Sequence, residues 1–169
     1  MTTTDKQQLL THTQVMQKVQ RIAFEIYENN FEDAEIVLAG VWDRGYWLAE
    51  LLKKQIETIS PLSVTLVRID IDKLNPHQSP VLFDVEKSVL QSKTVVVVDD
   101  VLNTGRTLAY GLSPFFGVQV KKLQLAVIVD RGHHLYPIAA DYVGYTLSTT
   151  LTEHIEVKLD EDGFGVYLH

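Results

Sequence analysis

Between residues 12 and 29 the apolar positions Val15, Met16, Val19, Ile22, Ala23, Ile26 and Tyr27 recur at steps of three and four. That spacing puts them on one face and predicts an amphipathic helix. EIVLAGV, Glu35 to Val41, is a short apolar run and predicts a buried strand. A second helical pattern covers Gly45 to Ile56, with Leu48, Leu51 and Leu52 on its apolar side. SVTLVRI, Ser63 to Ile69, predicts a strand. Residues 70–86 are polar, with Pro76 and Pro80, and predict a long loop. Lys93 to Val98 predicts a central strand, followed by a helix that starts near Thr104 and is cut short by Gly111 and Pro114. Leu123 to Asp130 is another buried strand. DYVGYTL, HIEVKLD and FGVYLH predict short strands at the end.

Solidly apolar strands alternating with helices predict an α/β fold with a mostly parallel central sheet flanked by helices. In such sheets ligands bind beyond the carboxyl ends of the strands. Three of those ends carry polar loops: WDRG after Val41, DDVLNTGRT after Val98, and DRGHH after Val129. No repeat or linker interrupts the pattern, so the 169 residues read as a single domain. The net charge of −7 argues against a broad nonspecific nucleic-acid surface. With no cysteine, thiol chemistry and cysteine metal sites are excluded. The six histidines show no metal-ligand spacing, so no transition-metal site is assigned. No stretch approaches the roughly 18 apolar residues of a membrane span. The polar start, MTTTDKQQLL, lacks the order of a signal peptide. A soluble, cytoplasmic protein is expected.

The chemistry concentrates in VVVVDDVLNTGRTL, Val95 to Leu108. Acids at a strand end ordinarily cap the next turn or face water. Here, however, Asp99 and Asp100 precede a loop with a glycine and two threonines at a helix start, an arrangement suited to phosphate. Gly105 allows close backbone approach. Carboxylates beside a phosphate cradle suit a sugar phosphate, with the acids accepting from vicinal hydroxyls. Neither G-x-x-x-x-G-K-[ST] nor G-x-G-x-x-G is present. The acids are adjacent, not spaced D-x-D as a dehalogenase-type phosphatase would have them.

This stretch resembles the phosphoribosyl-pyrophosphate signature of type I phosphoribosyltransferases. RIAFEIYENN, IVLAGVWDRGYWLAELL and LAVIVDRGHHLYPIAADYVGYTLST extend the resemblance along nearly the whole chain, to the bifunctional pyrimidine-operon regulator/uracil phosphoribosyltransferase family. The resemblance implies that Asp99 and Asp100 hold the ribose 2′- and 3′-hydroxyls. Val101, Leu102, Asn103, Thr104, Gly105, Arg106 and Thr107 would bind the 5′-phosphate. Val41 to Gly45 matches the pyrophosphate loop, which brings in Asp43, Arg44 and Gly45. Arg44 suits that place because a guanidinium pairs with phosphate oxygens bidentately. Residues 68–84 match a mobile lid with Arg68 at its base, and a small hood over about 130–169 begins at the base-binding segment Asp130 to His134, which includes Arg131. The implied reaction passes a 5-phosphoribosyl group to a nucleobase, uracil favoured. Magnesium carried on the substrate and Arg44 would neutralise the leaving pyrophosphate. Relatives are commonly dimers, so a homodimer is expected.

Several residues depart from the pattern. Purine-type relatives carry an acid before the Thr-Gly pair, where this chain has Asn103, an amide that cannot act as a base. Trp42 and Asp43 are bulkier than the family's residues. Asp43 either holds magnesium through water or pairs with Arg44, and Trp42 could wall the site while Trp47 packs. The lid sequence RIDID keeps only Arg68 and Asp70, with Val67 at an aromatic position. In the hood, His134 and Ala139 stand where RNA-binding relatives are basic. Loss of phosphate contacts weakens RNA binding, so RNA is the minor expectation. Arg131 either meets the substrate or pairs with Asp130. His133 and His134 read as turn residues, and Asp160, Glu161 and Asp162 before Gly163 read as a solvated hairpin turn. Two alternatives to transfer remain: an RNA-binding attenuator, and a regulator that senses phosphoribosyl pyrophosphate without transfer.

Overall fold

The computed structural model describes residues 6–148, 153–160 and 163–169. Strand β1 spans Gln7–Leu10 and helix α1 His12–Asn30. They are followed by β2 (Glu35–Val41), α2 (Arg44–Ile59), β3 (Ser63–Asp70) and β4 (Leu82–Phe83). Next come β5 (Thr94–Leu102), α3 (Arg106–Leu112) and β6 (Lys122–Asp130). The chain ends with β7 (Tyr142–Thr146), β8 (Ile155–Lys158) and β9 (Gly165–Leu168). Short 3₁₀ turns cover Lys87–Leu90 and Ser113–Gly117.

Six strands form one sheet in the order β4-β3-β2-β5-β6-β7. Every pairing is parallel except β4 on β3, as the apolar strands predict. Residues alternate between faces along a strand. Val96 and Val98 of β5 therefore enter a core built with α1 and α2, while Val95 and Val97 enter a second core with Leu108 and Phe115. All four valines are fully buried, each worth about 1.5–3 kcal/mol of transfer free energy. Such a strand has no solvent face, which is why its sequence shows no alternation. The apolar face of α1 is the expected one, with Val15, Val19, Ile22, Ala23 and Ile26 buried. Its start is fixed by a reciprocal cap: the Gln14 N–H donates to the Thr11 hydroxyl and the Thr11 N–H to the Gln14 amide oxygen.

Several elements differ from expectation, β4 among them, since it lies within the loop expected over residues 70–86. β5 runs four residues past Val98, because β6 continues to pair with it as far as Leu102 opposite Asp130. α3 begins at Arg106, after Gly105 takes a left-handed φ of 85°. β1 was hidden in a polar sequence, since its partner β9 lies at the other end of the chain. Together β1, β9 and β8 form a separate antiparallel sheet, so the hood draws on both chain ends, whereas Tyr142–Thr146 joins the main sheet beside β6. The acidic turn at Asp160 falls partly outside the described residues.

Candidate active site

The strand order reverses direction between β2 and β5. β3 lies beyond β2 on one side, and β6 lies beyond β5 on the other. Such a switch point leaves a crevice at the carboxyl ends. β2 pairs with β5 only up to Gly40 opposite Val98. Asp99 and Asp100 come next, just where the β2 chain turns away into its loop.

Two glycines allow α2 to start against these strands. A Cβ on Gly40 would lie 2.4 Å from the Tyr46 Cα, and one on Gly45 would lie 2.6 Å from the Val98 carbonyl oxygen and 3.0 Å from an Asp99 carboxylate oxygen. Asp99 is thereby packed under the first turn of α2 and is buried, whereas Asp100 is half-buried. Burial pushes the Asp99 carboxyl well up from its ordinary range. The charge of Asp100 adds to that, and Lys73 from the loop after β3 opposes it. The Asp100 N–H donates to Asp99 Oδ1, and the Val101 N–H donates to Asp100 Oδ1, both at 2.9 Å.

A shallow cleft is lined by Asp99 and the continuous run 101–108. Its loop is fixed from two sides. The Arg106 N–H donates to the Thr104 hydroxyl at 3.2 Å, and the Leu135 and Tyr136 N–H groups donate to the Thr104 carbonyl at 2.8 and 3.0 Å. Gly105 sits where a Cβ would lie 3.1 Å from Ile138. The first backbone bond of α3 runs from the Ala109 N–H to the Gly105 carbonyl, so the helix ladder leaves the N–H groups just before it for other partners.

Asp43, Arg44, Gly45, Arg68, Asp100 and Arg131, all expected at the site, are not among the residues that line this cleft. Arg44, at the start of α2, places a guanidinium nitrogen 3.6 Å from Glu156 of β8. Arg68 is paired with Asp70 at 3.0 Å and stacks over Trp42 at 5.2 Å. The peptide joining Trp42 to Asp43 is cis. Asp43 precedes α2 without a side-chain cap bond. Trp42 packs edge-on against Trp47, 6.4 Å between rings, and remains exposed in the loop after β2. Arg131 is buried at the end of β6 and donates to the Asn103 amide oxygen at 3.0 Å. Asp130 accepts from the Gly132 N–H at 2.9 Å and lies 2.8 Å from the His134 imidazole.

Residues 71–86 fold back to the sheet through β4, whose Phe83 ring packs 4.7 Å from Phe115. The loop carries His77 to 3.5 Å from Arg106 and brings Lys73 close enough to act on Asp99. Lys73 and His77 escaped the sequence reading. Their one signal is basic character in a loop expected to cover anions. Glu156 escaped as well, because its partners Lys6, Arg44 and His169 are scattered along the chain.

A doubly flanked parallel sheet, a switch-point crevice, paired strand-end acids and a glycine-containing loop define a phosphoribosyltransferase of type I. The chain belongs to the phosphoribosyl transferase domain family, whose pattern matches residues 5–162. Its relatives include proteins named bifunctional protein PyrR. That of Clostridioides difficile is 39% identical over 166 residues, 93% of each chain. That of Haemophilus ducreyi is 37% identical over 155 residues, 87% of this chain and 86% of the relative. Among solved structures, the hypoxanthine-guanine phosphoribosyltransferase hpt-2 of Bacillus anthracis superposes with a TM-score of 0.71 at 26% identity, covering 83% of this chain and 81% of that one. The hypoxanthine phosphoribosyltransferase of Trypanosoma cruzi shares the fold, with a TM-score of 0.73 at 20% identity over 83% of this chain and 81% of that one.

Proposed function

We propose that this phosphoribosyltransferase moves the 5-phosphoribosyl group of phosphoribosyl pyrophosphate to uracil and releases pyrophosphate. The observation that carries the reading is the delivery of Asp99 and Asp100 by β5 to the edge of a cleft whose other wall is the loop 101–107. Asp99, which lines the cleft, and Asp100, the more accessible acid, accept from the ribose hydroxyls. The loop takes the 5′-phosphate through backbone N–H groups and the hydroxyls of Thr104 and Thr107.

As the bond from C1′ to pyrophosphate breaks, positive charge grows on the ribose and negative charge on the leaving group. Arg44 and Arg68, beside the loop after β2, receive the leaving group, and Arg44 exchanges Glu156 for pyrophosphate when it binds. Burial first and the Asp100 charge second raise the Asp99 carboxyl, so a hard cation beside the pair would offset both effects. Magnesium carried on the pyrophosphate would supply further charge neutralisation beside Arg44 and Arg68. Lys73 and His77 close over the crevice and exclude water, which would hydrolyse the activated sugar.

RNA is not assigned as a ligand: His134 and Ala139 offer little charge on a chain of net −7. No helix among the described residues is long and apolar enough to cross a membrane. The reading places the protein in the cytoplasm as a homodimer, the latter checked by sedimentation. The double change Asp99→Asn, Asp100→Asn tests the site. Pyrophosphate release should fall at least about a hundredfold while the circular dichroism spectrum stays unchanged. Full activity in that variant would refute the assignment.

A further inference from the structure

Strands β2 and β3 pair in parallel, with Gly40 opposite Arg68. Ile36 and Leu38 before Gly40, and Val64 and Leu66 before Arg68, pack on the side of the sheet that α2 covers. By alternation Arg68 and Asp70 emerge on that same face. The pairing reaches one residue beyond β2, since the Trp42 N–H donates to the Ile69 carbonyl at 3.0 Å. The Trp42 ring thereby meets the face of the Arg68 guanidinium, whose central carbon lies 5.2 Å from the ring centre. Two rings from the start of α2 pack against it, Tyr46 at 5.8 Å and Trp47 at 6.4 Å.

Arg68 is held in three ways. Its main-chain N–H donates to an Asp84 carboxylate oxygen at 2.7 Å. Asp70 accepts from Nε at 3.0 Å and from Nη2 at 3.2 Å. Asp70 thus takes one edge of the guanidinium and leaves the Nη1 donors for another acceptor. An exposed ion pair alone contributes little toward fixing a long side chain. The indole supplies what the ion pair lacks, an attraction on the face of the guanidinium that sets its tilt. Trp42 stays 44% exposed, so filling the core is not its role. It also joins two cations: Arg44 follows it by two residues, and Arg68 reaches it from the neighbouring strand.

We propose that Trp42 is the positioning residue of Arg68. The indole holds the guanidinium so that Nη1 presents its donors to the oxygens of the leaving pyrophosphate, with Arg44 as the second cation. The inference rests on the reading in which the loop after β2 receives that group, and it adds the residue that sets the geometry there. A planar guanidinium pairs with phosphate oxygens in its own plane, so its tilt decides whether the pairing forms. Without the ring, the side chain is free to turn its second edge toward Asp70 or Asp84. An arriving anion must then order it again, which weakens binding.

The test is a double-mutant cycle on the affinity for pyrophosphate, measured by calorimetry with magnesium present. Trp42→Leu should weaken binding about fivefold, the loss expected for one cation–π contact. Trp42→Phe keeps a ring and should recover most of it. Arg68→Met should weaken binding about tenfold. Adding Trp42→Leu to Arg68→Met should then cost nothing more, because the ring acts only through the arginine. A structural role for Trp42, or its own contact with the anion, would instead weaken binding in both backgrounds. A second readout is spectroscopic, since the chain has two tryptophans. In Trp47→Phe the emission comes from Trp42. It should shift when pyrophosphate saturates the protein, and the shift should vanish when Arg68→Met is added. If Trp47→Phe fails to fold, the cycle on the exposed Trp42 decides. Additive losses, equal affinities in the parent and Trp42→Leu, or no pyrophosphate binding by the parent would overturn the proposal. Additive losses in a protein that transfers to uracil would leave the transferase reading standing. Coupled losses without pyrophosphate release from any base would refute that reading and leave the pairing of Trp42 with Arg68 intact.

Discussion

Burial and the neighbouring Asp100 raise the Asp99 carboxyl, and Lys73 only partly offsets them. The folded protein therefore holds this proton more tightly than the unfolded chain does. The contribution of Asp99 to stability is fully present below the ordinary carboxylate range and is lost as pH rises through the raised value. Once ionised, the acid is a cost that the site bears for function. Asp99→Asn should raise Tm at pH 7 by about 2–4 °C, measured by calorimetry, and remove most transfer activity. A lower Tm would mean that the carboxylate is stabilised by contacts absent from this account. At the residue scale the acids and the loop were legible, because Asp-Asp followed by Thr-Gly-x-Thr is contiguous. The bond from Arg131 to Asn103 was not, since it joins residues 28 apart that meet only when β5 and β6 pair.

α2 reaches the crevice because Gly40 and Gly45 remove the side chains that would hold it away. In Gly45→Ala, a Cβ placed 2.6 Å from the Val98 oxygen must push the helix start or the tip of β5 aside. The expected loss is about 1–3 kcal/mol in urea titration, together with a raised KM for phosphoribosyl pyrophosphate. An unchanged KM would separate this packing from pyrophosphate binding. Strand cores were legible as solid apolar runs, and element ends less so. β5 could not be followed through Asp99 to Leu102, because the pairing that keeps those residues extended comes from β6 alone. β1 was invisible for a related reason: its extended form is dictated by β9, not by its own QQLL.

Glu156 ties the small sheet to the rest of the molecule. It accepts from Lys6 at 2.8 Å, lies 3.0 Å from His169 and 3.6 Å from Arg44. The Lys6 bond chiefly, then His169 and the nearby Lys158 charge, hold its carboxyl down at about 2 against the opposing effect of burial. The sign follows from the depressed value: the contribution is fully present above the ordinary value of 4.5 and is lost as pH falls toward about 2. Glu156→Gln should therefore lower the urea midpoint at pH 7 and leave it nearly unchanged at pH 2. An equal deficit at both pH values would show that charge is not the cause. The hood sheet was legible only at its C-terminal strands, since a sequence read in order gives no reason to join residue 6 to residue 156.

Phosphoribosyl transfer to a pyrimidine in the crevice between β2 and β5 is tested most directly by pyrophosphate release. The purified protein is supplied with magnesium and phosphoribosyl pyrophosphate, then with uracil, hypoxanthine or guanine in turn. The account predicts release that depends on the base and is fastest with uracil. No release with any base, or faster release with a purine, would contradict it.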